Sequence, residues 1–67
     1  KLFESGIKRI AQKVGEEGVE LALASVTDGR DKVISEAADL LYHMLVLLQS
    51  REASLAEVVS ELERRHK

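Results

Sequence analysis

An all-α fold, a small helical bundle, is what this 67-residue sequence predicts. Three observations carry the prediction. The chain has no proline. It is rich in Ala, Leu, Glu, Lys and Arg, the residues that lose least on entering a helix. Its apolar residues recur at helical spacing, interrupted by turn signals only at Gly6, at Thr27-Asp28-Gly29 and between Ser50 and Ser54.

Taken in order, a short N-terminal piece precedes Gly6, and a first helix is expected from about Ile7 to Val26. Its apolar stripe is Ile7, Ile10, Val14 and Leu21. The Thr27-Asp28-Gly29 turn ends it, and a second helix should run from about Arg30 to Ser50. A third is expected from about Leu55 to Arg64. Ser54 with Glu57 three residues later is a capping-box signature for its start, and Leu55, Val58, Val59 and Leu62 give it one apolar stripe. The terminal Glu63 to Lys67 reads as a solvated, frayed end. Short connections make sequential helices antiparallel neighbours. With no repeat, low-complexity tract or linker, residues 1–67 read as a single domain. The chain starts at Lys1, so further residues are expected upstream.

Composition excludes several classes of function. One third of the residues are charged but the net charge is only −2, without the basic excess of a nucleic-acid binder. The longest apolar run, Leu40 to Leu48, contains His43 and is too short to span a bilayer. With no cysteine, disulfides and thiolate zinc sites are ruled out. A cytoplasmic setting is the simplest expectation. A domain this small usually needs a metal or a partner subunit to be stable.

The middle helix points to the partner. Val33, Ile34, Ala37, Ala38, Leu40, Leu41, Tyr42 and Met44 to Leu48 cover roughly three-quarters of its circumference. Lys32, Glu36, Asp39 and His43 share the remaining polar strip. Two other short helices are too little cover, so a homodimer whose interface continues the core is expected. Tyr42 is assigned to that core or interface, and Met44 to packing.

The chemistry lies in the carboxylates. On the first helix Arg9, Lys13, Glu16, Glu17 and Glu20 fall within an arc of roughly 100°, beside the apolar stripe. On the second, Glu36, Asp39 and His43 share a face at i, i+3 and i+7 spacing. Antiparallel packing would bring the five acids toward one small volume at the edge of the core. Like charges there must take up protons or bind a cation. Oxygen donors suit Mg²⁺, or Mn²⁺, over zinc or copper. A metal would activate water and a free carboxylate would take its proton, while Lys13 and Arg9 are placed to hold phosphate oxygens. The competing reading is that these are solvated helix faces with ordinary i,i+4 pairs. Two facts weigh against it: the acids border the apolar stripe, and Asp39 runs directly into Leu40-Leu41 in the most hydrophobic helix of the chain. His43, one turn after Asp39, is read as a donor to a nearby carboxylate or backbone group in preference to a ligand.

The spacing Glu16-Glu17-x-x-Glu20, fifteen intervening residues, then Glu36-x-x-Asp39 resembles the signature of the MazG-like all-α nucleoside triphosphate pyrophosphohydrolases. The flanking words are more specific. Leu2-Phe3, Lys8-Arg9-Ile10-Ala11-Gln12-Lys13-Val14-Gly15-Glu16-Glu17 and Glu36-Ala37-Ala38-Asp39-Leu40-Leu41-Tyr42-His43 resemble the phosphoribosyl-ATP pyrophosphatase family, over essentially the whole chain. The resemblance implies Mg²⁺-dependent hydrolysis of phosphoribosyl-ATP to phosphoribosyl-AMP and pyrophosphate, the second step of histidine biosynthesis. It implies a four-helix core completed by homodimerisation, and fusion or association with phosphoribosyl-AMP cyclohydrolase. Glu16, Glu17, Glu20, Glu36 and Asp39 match the family's metal-binding positions. Of these, Glu17, Glu20, Glu36 and Asp39 are also expected to be catalytic. Lys13 matches a basic position before the acidic pair and is expected to contact phosphate, and Arg9 is carried over beside it as a second substrate contact. Two rivals remain: a housekeeping nucleotide pyrophosphohydrolase of the same fold, and a non-catalytic dimeric helical module.

Overall fold

The structure, a computed structural model, describes residues 2–66, with side chains from residue 6 onward. It consists of α1 (Leu2–Thr27), α2 (Arg30–Ser50) and α3 (Leu55–Arg65). No strand occurs among the described residues, in agreement with the all-α expectation. Three boundaries differ from the sequence reading, the end of α1 by the single residue Thr27. The first helix begins at Leu2 instead of near Ile7, because Gly6 continues the helix without breaking it. The third reaches Arg65 because Glu61 pairs with both Arg64 and Arg65, which stiffens the end expected to fray. Those two guanidinium groups hold the Glu61 carboxyl below the usual carboxylate range. The clamp is therefore present at neutral pH and released on acidification through that lowered value.

The two-residue connection Asp28-Gly29 folds α1 back on α2. Gly29 is the N-cap of α2 in extended conformation and accepts from the amides of Lys32 and Val33 through its carbonyl. The second connection is built differently. Ala53 N–H donates to Leu48 C=O and Glu52 N–H to Gln49 C=O, the paired bonds of a Schellman cap. Its left-handed position, normally glycine, is held by Glu52 at φ 59°. Ser54 then opens α3 with the capping box foreseen from sequence: its hydroxyl accepts from Glu57 N–H at 3.2 Å, and Glu57 Oε1 accepts from Ser54 N–H at 2.8 Å.

α1 and α2 pack closely, whereas α3 makes only marginal contact with either. The result is a slab of 38 × 38 × 14 Å, about as long as α1 alone and little more than one helix thick. Its radius of gyration, 13.8 Å, exceeds the ~11 Å of a compact chain of this length. Most residues between α1 and α2 are only half-buried, among them Ile10, Val14, Leu21, Ala37, Leu40 and Leu47. Ala24 alone forms a fully covered apolar position among the described residues. Apolar side chains stand exposed in stripes at helical spacing: Val19, Leu23 and Val26 on α1, Ile34, Leu41 and Leu45 on α2, Leu55, Val59 and Leu62 on α3. Tyr42 is 64% exposed, so within one chain it does not belong to the core.

Candidate active site

Burial in this hairpin is inverted relative to an ordinary amphipathic pair. Among the described residues, those buried besides Ala24 are two carboxylates, Glu17 at 8% exposure and Glu36 at 9%. Acids are rarely buried without a partner, because desolvation penalises the charge. Each therefore has a counterpart. Glu17 Oε1 on α1 lies 2.8 Å from His43 Nδ1 on α2, which is the carboxylate contact expected of His43. Glu36 Oε2 pairs with Lys32 Nζ at 3.1 Å, one turn earlier on α2.

The second oxygen of Glu36, Oε1, is buried without a hydrogen-bond partner among the described residues. An acceptor left so is costly, and a bound cation is one way to satisfy it. The field around it already favours positive charge. Glu36 first, by hydrogen bond and charge, and then Asp28 and Glu20 raise the Lys32 ammonium above its ordinary pKa. Glu20 belongs to α1 and Lys32 to α2, so the acids of both helices act on the same region.

The other acids lie at the surface. Glu16, Glu20 and Asp39 are exposed, and Glu16 Oε2 accepts from Gln12 Nε2 at 2.9 Å. The five carboxylates are thus not drawn to a point, contrary to the expectation from antiparallel packing. Among the described residues, no three His, Asp or Glu side chains are gathered as ligands of one ion. Mutual repulsion keeps like charges apart, and three of the five acids pair elsewhere: Glu16 with Gln12, Glu17 with His43 and Glu36 with Lys32. The donor set still fits a hard divalent cation: oxygen ligands, no sulfur, and one orphaned carboxylate oxygen.

Upstream on α1, Arg9, Gln12, Lys13 and Glu16 line a polar notch of about 100 Å³, smaller than the sites that enclose whole ligands. It places both basic residues beside the first acid, as the sequence suggested. A larger apolar trough of about 770 Å³ runs along Gly6, Ile7, Ile10 and Val46 to Gln49, Ser50 and Glu52. It lies at the open end of the hairpin, away from the Asp28-Gly29 turn, and among the described residues Glu52 is the one acid lining it. The Leu2-Phe3 side chains lie outside the described residues. Lys32, on the polar strip of α2, is a site residue that the acidic pattern alone does not single out. Its i,i+4 spacing to Glu36 was the available signal.

Fold and site together define an all-α protein with acids on both helices of a hairpin and basic residues one and two turns before the first of them. The chain belongs to the phosphoribosyl-ATP pyrophosphohydrolase family, whose model matches residues 1–66. It is 61% identical over 66 residues to a histidine biosynthesis bifunctional protein of Xylella fastidiosa strain Temecula1, covering 98% of this chain and 32% of that protein. It is 57% identical over 67 residues to the phosphoribosyl-ATP pyrophosphatase of Pyrobaculum aerophilum, covering all of this chain and 71% of the relative. The corresponding enzyme of Pyrobaculum islandicum is 55% identical over 65 residues, covering 97% and 69%. The chain therefore spans about a third of the length of the bifunctional relatives it matches. No helix of the described residues is long and apolar enough to cross a membrane.

Proposed function

We propose that this chain hydrolyses phosphoribosyl-ATP between its α and β phosphates, releasing pyrophosphate and phosphoribosyl-AMP. The observation that carries the reading is the pair of buried acids, Glu17 and Glu36, on facing helices within a chain matched end to end by a pyrophosphohydrolase family. Lys13 and Arg9 hold phosphate oxygens as charge-assisted donors. Glu16, Glu17, Glu20, Glu36 and Asp39 hold Mg²⁺, with Mn²⁺ as a substitute. The metal, when bound, neutralises phosphate charge and makes water a better nucleophile at neutral pH. Glu17 and Glu36 are buried and engaged, which leaves the exposed Glu20 and Asp39 better placed to accept the water's proton.

The working unit is a homodimer. A compact monomer of 7.4 kDa would expose about 4,200 Å², whereas this chain exposes 5502 Å². The excess comfortably covers the ~800 Å² per partner of a stable interface, and the exposed apolar stripes of α1 and α2 are where it would be buried. The product passes to phosphoribosyl-AMP cyclohydrolase, fused or associated, and the bifunctional names of close relatives favour this arrangement. The cytoplasm is the proposed compartment.

A pyrophosphate-release assay on phosphoribosyl-ATP, with Mg²⁺ and with chelator, tests the reading. Release that depends on Mg²⁺ is expected. Turnover of canonical nucleoside triphosphates with none of phosphoribosyl-ATP would move the chain to the housekeeping branch of the same fold. No release from any of them would leave only a helical interaction module.

A further inference from the structure

His43 touches both halves of the carboxylate set. Its Nδ1 lies 2.8 Å from Glu17 Oε1 on α1 and 3.2 Å from the backbone carbonyl oxygen of Asp39 on α2. A carbonyl only accepts, and so does an ionised carboxylate. The ring nitrogen that faces both is therefore the one carrying the proton, whatever the state of Nε2. The contact is partly shielded, with the His43 side chain 23% exposed and that of Glu17 10%. Tyr42 stands edge-on to the imidazole, ring centroids 5.0 Å apart at 77°, and helps to fix the plane of the ring.

We propose that His43 is a positioning residue for Glu17: its Nδ1–H holds Oε1, so that Oε2 is the oxygen presented to the divalent cation. The inference rests on the metal reading above and goes beyond it, because it gives Glu17 a defined orientation. A carboxylate free to rotate offers either oxygen and loses that freedom on binding. One held by a single oxygen is already aimed. The Asp39 carbonyl fixes the imidazole in turn, so one ring holds the acidic motif of α1 in register with that of α2. Donors standing behind metal ligands in this way typically alter metal affinity by ten- to a hundredfold.

Three substitutions separate orientation from bulk. His43→Asn places an amide N–H near the position of Nδ1, His43→Gln places one near Nε2, and His43→Leu keeps volume without a donor. Each metal-free protein is titrated with Mn²⁺ in the absence of substrate, and free ion is followed by electron paramagnetic resonance. The expected order is wild type and His43→Asn close together, with His43→Gln and His43→Leu about ten- to a hundredfold weaker. Wild-type affinity in His43→Gln would overturn the proposal, as would His43→Asn binding as weakly as His43→Leu. A wild-type protein that takes up no Mn²⁺ would remove the metal reading itself, and that outcome needs no variant. Independently of folding in the variants, long-range ¹H–¹⁵N spectra of the wild-type imidazole should show Nδ1 protonated. A tautomer protonated only at Nε2 would refute the geometry.

Discussion

At the scale of single residues, the acids were the most legible part of this protein and their partners the least. Glu16, Glu17, Glu20, Glu36 and Asp39 stand out because their spacing puts them on two helix faces bordering apolar stripes, and periodicity alone reveals that. Which of them is buried is not a matter of periodicity. Glu17 and Glu36 are covered and the other three are not, a distinction set by how the two helices are rotated against each other. The contact between His43 and Glu17 joins positions 26 residues apart, and no local rule pairs them. Lys32 and Glu36, four apart, could have been paired from sequence. Because Glu20 and Asp39 are exposed, replacing them removes charge without opening a cavity. Glu20→Ala and Asp39→Ala should each abolish pyrophosphate release, by more than about a hundredfold if the residue acts as ligand or base, while circular dichroism stays that of the wild type. Wild-type turnover in either variant would remove that residue from the site.

At the scale of elements, α2 emerged with the boundaries its sequence suggests, because Gly29 and Ser50 punctuate a long apolar run. The start of α1 did not. Glycine weakens a helix but does not end one when both flanks favour it, and the piece before Gly6 is helical from Leu2. The start of α3 was readable because a capping box is a local pattern. The end of α2 was only half readable: the boundary showed, but its Schellman geometry was hidden because glutamate occupies the position where glycine would have announced it. That substitution has an energetic consequence. A residue with a Cβ at φ 59° sacrifices about 1 kcal/mol relative to glycine. Glu52→Gly should therefore stabilise the fold by about that amount, seen as a higher midpoint in urea denaturation with an unchanged slope. A midpoint equal to or below that of the wild type would mean that the Glu52 side chain contributes more than its backbone loses.

At the scale of the whole molecule, the apolar girth of α2 led to the expectation of a partner subunit, and the slab leaves apolar stripes uncovered on all three helices. Val19, Leu23 and Val26 recur at i, i+4 and i+7 on a face of α1 that its own chain leaves exposed, the spacing of a helix awaiting a neighbour. The proposed dimer predicts that Leu23→Glu shifts the sedimenting species from dimer to monomer and lowers helical content with it, because the isolated hairpin retains too little buried surface. A monomeric wild type of full helicity would rule that assembly out.

A thickness of 14 Å also bears on the strength of every charge interaction in the site. In a layer about one helix deep, few atoms lie far from solvent, and water screens the exposed Glu16, Glu20 and Asp39. Coulombic attraction grows several-fold as the effective dielectric falls from that of water toward that of a protein interior. The proposed affinity of the acids for a cation would then not be a property of their positions in the chain alone. A second layer laid over α1 and α2 would act as an insulator, and the same five carboxylates would grip an ion more tightly in the proposed dimer than in a single chain.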